Sequence, residues 1–242
     1  MRRCLSALLL LTLPALADVT VGFPESMTPR TMAERYAPEI RQFERILREP
    51  VNFVTYDIGD QVSARRIAEN GLIAATPAAV ASMLDLGLTP VGYHGGEAPI
   101  LLVGNAATDT GCTRVGQLGR GSIMGLMAPY LIDKSGLESV CVTQYSTISN
   151  LVRAMNLDEV DAGVIGGRST GKLTNPFTEL ARGTTPLFAF FADQQHERFA
   201  DMFVALEADR ALAPGGPSGR PILAWDVEAA TRYRKLQQDL DH

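Results

Sequence analysis

Val19-Thr-Val-Gly-Phe23 is a short apolar run that stops at Pro24, and Thr28-Pro29 then reads as a cap with proline in the first helical turn. A strand followed by a helix is expected. Over 30–48, Met32, Tyr36, Ile40, Phe43 and Leu47 recur at three- and four-residue spacing with Arg and Glu on the other face, although Pro38 implies a kink or a later start. Val51–Tyr56 reads as a strand, 60–70 as a helix ended by Asn70-Gly71, and Leu72–Ala75 as a buried strand. Thr76-Pro77 caps a further helix over Ala78–Leu86.

From Pro90 the pattern changes. Val91–Tyr93, Gly95-Gly96 and Pro99–Gly104 are extended pieces without a helix between them, as a crossing between two lobes would be. Beyond them come a helix over Ile123–Ser135, a strand at Val140–Thr143, a helix at Ile148–Asn156 and a strand at Ala162–Ile165. Thr184–Ala192 reads as one apolar strand. Helices near 194–209 and 227–240 carry the stripes Phe199, Phe203, Leu206 and Tyr233, Leu236, Leu240, separated by the loop Pro214–Pro221. No internal repeat is visible. Alternating strands and helices predict mainly parallel sheets with ligand sites at the carboxyl ends of the strands. Two such lobes joined by two extended crossings form a hinge that closes on a solute.

Composition places the chain among ordinary folded proteins: 242 residues, 46% hydrophobic and 20% charged, long enough to bury a sizeable core. The formal charge is −5, and no basic run could follow a phosphate backbone, which argues against nucleic-acid binding. Met1-Arg2-Arg3, the apolar stretch Leu5–Leu13 and Ala15-Leu16-Ala17 form the pattern of a secretory signal cleaved after Ala17. The stretch is about half the roughly 20 residues a membrane span requires. Cys4 lies too early for a lipobox, and the expected product is exported and periplasmic. Cys112 and Cys141 remain after cleavage; in an oxidising compartment the even pair predicts a disulfide, with two unrelated buried thiols as the alternative.

Val19–Pro24, Gly71–Val80, Gly121–Leu131 and Asn150–Gly163, in that order, resemble segments of the phosphate/phosphite/phosphonate family of periplasmic ABC-transporter substrate-binding proteins. Val19–Pro24 is similar to the family's opening strand, and Gly71-Leu-Ile-Ala-Ala-Thr-Pro-Ala-Ala-Val80 to a strand-to-helix turn ending in Gly-Pro-Ala-Ala. Gly121-Ser122 to Gly125, with Ala128-Pro-Tyr-Leu131, resembles the family's Ser/Thr-rich turn and its helix. Asn150–Gly163 resembles a helix leading into a Val-Asp-Ala-Gly strand. The resemblance implies an α/β, two-lobe periplasmic binding protein-like fold of type II, with 18–98 and 187–242 as lobe one and 99–186 as lobe two. It departs at Ile123 and Met124, where the family usually carries hydroxyl residues. Gly116–Arg120 also runs so directly into Gly121-Ser122 that a strand looks deleted, leaving lobe two abbreviated.

Thr28, Thr76, Ser122, Ser146 and Thr147 sit where a strand or loop hands over to a helix, so each can cap that helix and face the cleft; capping alone is the plainer role. Helix N-termini offer free N–H groups and partial positive charge to an anion. Tyr56, ending a strand, could touch a solute or belong to the core, and Glu25 and Ser26 could meet a ligand amine or lie in a solvated turn. Gly166–Leu173 nearly spells a Walker A loop, but Leu173 stands where the magnesium-binding Ser/Thr belongs, so a loop is expected. His94, His196 and His242 lack metal-ligand spacing, and the methionines fall at helical spacing typical of core. No nucleophile elbow occurs, so neither an enzyme nor a metal or cofactor site is expected. The expected role is a monomeric receptor that captures a small polar or anionic solute and presents it to an inner-membrane ABC permease. The alternative is a degenerate relative that serves another periplasmic protein as an accessory or sensor partner.

Overall fold

A computed structural model describes residues 19–24, 29–57, 60–105, 111–119, 122–208 and 221–240. The signal segment, Glu25, Ser26, Thr28, Gly121, the Pro214-rich loop and His242 lie outside them. The chain begins with β1 (Val19–Pro24), α1 (Pro29–Leu47), β2 (Val51–Tyr56), α2 (Gln61–Asn70) and β3 (Gly71–Ala75). A 3₁₀ turn at Pro77–Ala79 leads into α3 (Val80–Asp85), and β4 (Thr89–His94) follows. Helix α1 runs unbroken through Pro38 and buries Tyr36 and Phe43, the heart of its predicted stripe. Asp60 starts α2 by accepting the Ser63 N–H at 3.0 Å. Gly71 does not close α2 in a left-handed turn, as its place after Asn70 suggested. Its backbone is extended, and a Cβ there would lie 1.9 Å from the Thr20 carbonyl oxygen, so glycine is required by the approach of two backbones.

The second unit contains β5 (Glu97–Gly104), β6 (Thr113–Leu118), α4 (Ile123–Ser135), β7 (Val140–Tyr145), α5 (Ile148–Asn156), β8 (Ala162–Gly166) and β9 (Thr178–Pro186). Helix α4 ends at Gly136, whose φ of 71° suits a residue without Cβ. The Walker-like stretch is a 3₁₀ turn over Gly167–Lys172. The chain then returns through β10 (Ala189–Ala192), α6 (His196–Ala208), a three-residue β11 (Ile222–Ala224) and α7 (Val227–Leu240). Two corrections concern strands. The apolar run 184–192 is not one strand but the end of β9 and all of β10, broken at Leu187-Phe188 where the chain changes sheet. The strand expected to be deleted ahead of Ser122 is present as β6, between β7 and β8 in its sheet, because Val115 and Leu118 supply buried positions that the short spacing had obscured.

The two sheets are β11-β4-β10-β3-β1-β2 and β7-β6-β8-β5-β9. From β2 to β4 the first follows the order second, first, third, returning and fourth strand, and the other sheet repeats it with β7, β6, β8, β5 and β9. The repeat invisible in the residues is therefore explicit in the topology. Among the described residues lobe two is abbreviated in helices, with α4 and α5 against five around the first sheet, but it keeps the full strand order. Cys112 and Cys141 form a disulfide with Cα atoms 5.7 Å apart, joining the start of β6 to β7.

Pairing register shows how the sheets face each other. β1, β2 and β3 run parallel, and antiparallel β10 lies between β3 and β4, so β4 runs with them and ends at their carboxyl edge. After Gly95-Gly96 the chain enters β5, which is antiparallel to β8 with Ile100 opposite Gly166, at the carboxyl edge of the second sheet. The return is equivalent: β9 ends with Pro186 beside Glu97, and β10 begins with Ala189 beside Ala75. Each crossing has two residues between strands, which limits the span from one sheet to the other to about 11 Å. The two carboxyl edges must therefore face each other.

Candidate functional site

The strand-end turns at these edges carry the predicted polar residues. Ser122 precedes α4, and its Oγ accepts the Gly125 N–H at 3.0 Å while donating to the Gly119 carbonyl at 2.9 Å. Thr147 precedes α5, and its Oγ1 accepts the Asn150 N–H at 3.2 Å; the neighbouring Ser146 Oγ accepts from Asn150 Nδ2 at 3.4 Å. Leu118 and Tyr145 are paired in register, so the turns after them stand side by side. Both hydroxyls cap their helices, and both helices lack an acidic residue in the first turn. The first-turn N–H groups of a helix have no partner within it and carry partial positive charge, which no carboxylate of either helix neutralises.

Across from them, Thr76 follows β3. It caps the 3₁₀ turn through its carbonyl, which accepts the Ala79 N–H at 2.8 Å, and not through its side chain. Its Oγ1 is buried without a hydrogen-bond partner, the one hydroxyl of the predicted set left unengaged among the described residues. An unmade hydrogen bond on a buried hydroxyl costs about 1–3 kcal/mol. Helix α4 reaches the Pro77–Ala79 turn, so the elements following Ser122 and Thr76 meet across the gap.

Tyr56 is 3% exposed and donates its hydroxyl to the Ala74 carbonyl at 2.9 Å, in a cluster with Ala64, Ile73 and Met83. Burial holds its phenol well above the usual range, so it is a neutral donor at all physiological pH. Ile123 and Met124 are half-buried and pack against the core beneath α4. Glu25 and Ser26 lie outside the described residues.

The crossings are held by three further bonds. The His94 N–H donates to the Phe188 carbonyl at 2.9 Å, the Gly95 N–H to the Pro221 carbonyl at 2.8 Å, and the Tyr233 hydroxyl to the Leu187 carbonyl at 2.7 Å. At their root, His94 Nε2 lies 3.0 Å from Glu39 Oε1, both side chains buried. Sequence reasoning did not find this pair, because the partners are 55 residues apart and only the fold of α1 over β4 joins them. Helix α7 spans the junction, with Ala229 and Tyr233 in the core of the first sheet and Leu236 against Met127 and Leu131 of the second. Cavities of about 430 and 210 Å³ lie away from the turns, one beside Tyr130, Lys134 and Leu236, the other beside Asn156, Asp158 and Asn175. No group of three metal-ligating side chains occurs among the described residues.

Two α/β sheets, facing carboxyl edges and a double two-residue crossing decide the architecture. The chain has the two-lobe fold of periplasmic binding proteins. XAC2383 from Xanthomonas citri, in its chloride-bound structure, is similar with a TM-score of 0.71 and 13% identity, covering 93% of this chain and 97% of its own. PhnD1 from Prochlorococcus marinus, in complex with methylphosphonate, gives 0.66 at 11% identity over 92% and 96%. The periplasmic aliphatic sulphonate binding protein SsuA from Escherichia coli gives 0.59 at 16% identity over 93% and 85%. No protein-family model matches the chain, and neither does any curated protein sequence. No described helix is long and apolar enough to cross a membrane.

Proposed function

We propose that this chain is a periplasmic solute-binding protein, exported by a cleaved signal, that captures a small anionic solute of the phosphonate or sulfonate type and presents it to an ABC permease. The observation that carries this reading is the register: two-residue crossings bring the carboxyl edges of two parallel β-units face to face. The helix-bearing turns at Ser122 and Thr147 then stand opposite the unengaged Thr76 hydroxyl. Ser122, Ser146, Thr147 and Thr76 are the residues assigned to the solute, with Tyr56 supporting the turn from beneath; Glu25 and Ser26, which follow β1 in the chain, are assigned to it from the sequence alone.

Chemistry follows from the donors. Helix N-termini and hydroxyls can donate to a tetrahedral oxyanion without a cation, each charge-assisted bond contributing roughly 1.5–3 kcal/mol, so three or four suffice for micromolar affinity, about 8 kcal/mol. Ile123 and Met124 follow Ser122 where hydroxyl residues would add donors and pack against the core instead, and a turn with fewer donors favours an oxyanion in which an alkyl group replaces one oxygen over inorganic phosphate. Neighbouring proteins bind methylphosphonate and aliphatic sulfonates, which sets the first compounds to try.

Native mass spectrometry of freshly purified protein, followed by calorimetry with methylphosphonate, ethanesulfonate, phosphite and phosphate, tests the proposal. Binding of an alkyl oxyanion with a matching rise in Tm supports it. Submicromolar affinity for inorganic phosphate would overturn the preference. Indifference to every solute, with a protein co-purifying, would replace transport by the accessory role.

A further inference from the structure

The four edge strands of the two sheets differ in how their open backbone is treated. An unpaired strand edge is a template for another strand, and proteins block it with charge, proline, bulges or short length. Edge β11 has three residues. Edge β2 gives its first N–H, that of Val51, to the Glu44 carboxylate at 3.3 Å. Edge β9 carries the Glu179–Arg182 ion pair, a register shift opposite Leu102/Val103 and Pro186, and Lys134 takes the Arg182 carbonyl at 2.8 Å. Among the described residues, edge β7 has none of these devices. Its six residues, Val-Cys-Val-Thr-Gln-Tyr, carry no charge, proline or glycine, and the four central ones are exposed. Val142 is 52% exposed, and the disulfide clamps the strand to β6.

The direction of the free backbone groups is determined. The Thr113 N–H donates to the Ser139 carbonyl, and β6 and β7 pair in parallel without a shift from Thr113/Val140 to Leu118/Tyr145. In a parallel ladder alternate residues turn both backbone groups to the same neighbour. Residues 139, 141, 143 and 145 therefore face β6, while Val140, Val142 and Gln144 point N–H and C=O outward.

We infer that β7 is a self-association edge, and that its partner is β7 of a second copy of this chain, paired antiparallel about a two-fold axis through Val142. An antiparallel two-fold pair must place one residue opposite its own copy, and Val142 is the central residue whose backbone points outward. Val142 then exchanges two hydrogen bonds with its copy, and Val140 and Gln144 exchange two more at each end, about six in all. The Val142 side chains meet as an apolar cross-strand pair. No like charges oppose each other in this register, because Glu138 falls opposite Ser146. β7 lies at the edge farthest from β9, and β5 and β9 carry the crossings, so a ten-stranded sheet across two copies leaves the hinge free. The same neutrality that permits self-pairing gives a charged partner nothing to recognise. This association is independent of the solute and replaces the monomer expected from sequence.

Sedimentation equilibrium of the full chain from about 1 to 500 µM tests it. A reversible dimer is expected, and a monomer across the range would overturn the inference. Val142→Lys and Val142→Glu each put like charges opposite one another and should be monomeric with unchanged circular dichroism; a dimer in either variant would overturn the assignment of the edge. Mixing the two variants should restore a one-to-one heterodimer, because opposite charges then face each other. Failure of the mixture to associate, with both variants folded by circular dichroism, would overturn the Val142 register. Protection of the Val140, Val142 and Gln144 amides from hydrogen exchange should rise with concentration, and protection confined to other strands would place the contact elsewhere.

Discussion

The two lobes solve one topological problem with different materials. Both run their strands in the same order, but the first sheet buries Phe23, Phe43, Phe190, Phe199 and Phe203 with Tyr36 in one aromatic cluster. The clusters of the second hold no buried aromatic residue and consist of Leu, Val, Ile, Met and Ala. Rings such as Phe190 and Phe203, 5.2 Å apart, contribute more area per residue than the branched side chains that replace them. The lobe with fewer helices and smaller side chains is also the one with the disulfide. Covalent closure across β6 and β7 thus stands where aromatic burial stands in its partner.

The contrast can be broken at its strongest point first. Phe190→Ala leaves a cavity between Phe23, Phe43 and Phe203 and should cost about 3–5 kcal/mol, read as a fall in the urea midpoint, with hydrogen exchange quickening in β1, β3 and β4 before β6. Opening the disulfide with Cys112→Ser and Cys141→Ser should remove about 3 kcal/mol in the loop-entropy account, and exchange should quicken in β6 and β7 instead. Equal loss of protection in both sheets after either change would mean that the lobes are one cooperative unit.

Smaller effects sharpen the picture of the turn at Ser122. A Cβ on Gly125 would lie 2.1 Å from the Gly119 carbonyl oxygen and 2.4 Å from that of Leu118, both backbone atoms that cannot swing aside. Gly125→Ala should therefore displace the start of α4, cost about 1–3 kcal/mol in chemical denaturation, and weaken solute binding beyond what stability alone explains. The smallest effect concerns Asp161, whose carboxylate binds the Arg114 guanidinium at 2.6 Å and its N–H at 2.8 Å, tying β6 to the turn before β8. These bonds hold its pKa below the usual carboxylate range. A depressed folded-state pKa means stability present above the unfolded value, near 4, and lost as pH falls through the folded one. With Arg114 half exposed the loss is about 1 kcal/mol, and Asp161→Asn should abolish that part of the acid dependence.

Much of the site was legible because strand-to-helix junctions are local. Ser122 and Thr147 are recognisable caps, and α4 and α5 fall on the residues expected for them from the sequence. Tyr56 shows the limit: a strand-final tyrosine looks the same whether it faces a ligand or a carbonyl, and only the order β3-β1-β2 lets its hydroxyl reach across β1 to the Ala74 carbonyl of β3. The break at Leu187-Phe188 was hidden because apolar residues continue through it, and composition carries no mark of which sheet each belongs to.

Periodicity, capping residues and the even cysteine pair determined the helices, most of the strands and the disulfide, but not β6, β11 or the break between β9 and β10, since each of the former depends on neighbours in the chain or on solvent conditions. The facing of the two edges, the burial of Glu39 with His94, the unengaged Thr76 hydroxyl and the bare edge of β7 were decided by tertiary structure alone. Each arises from a contact, or a missing contact, between segments tens of residues apart. Such pairings are selected by the packing of the whole chain, and no local pattern can encode them.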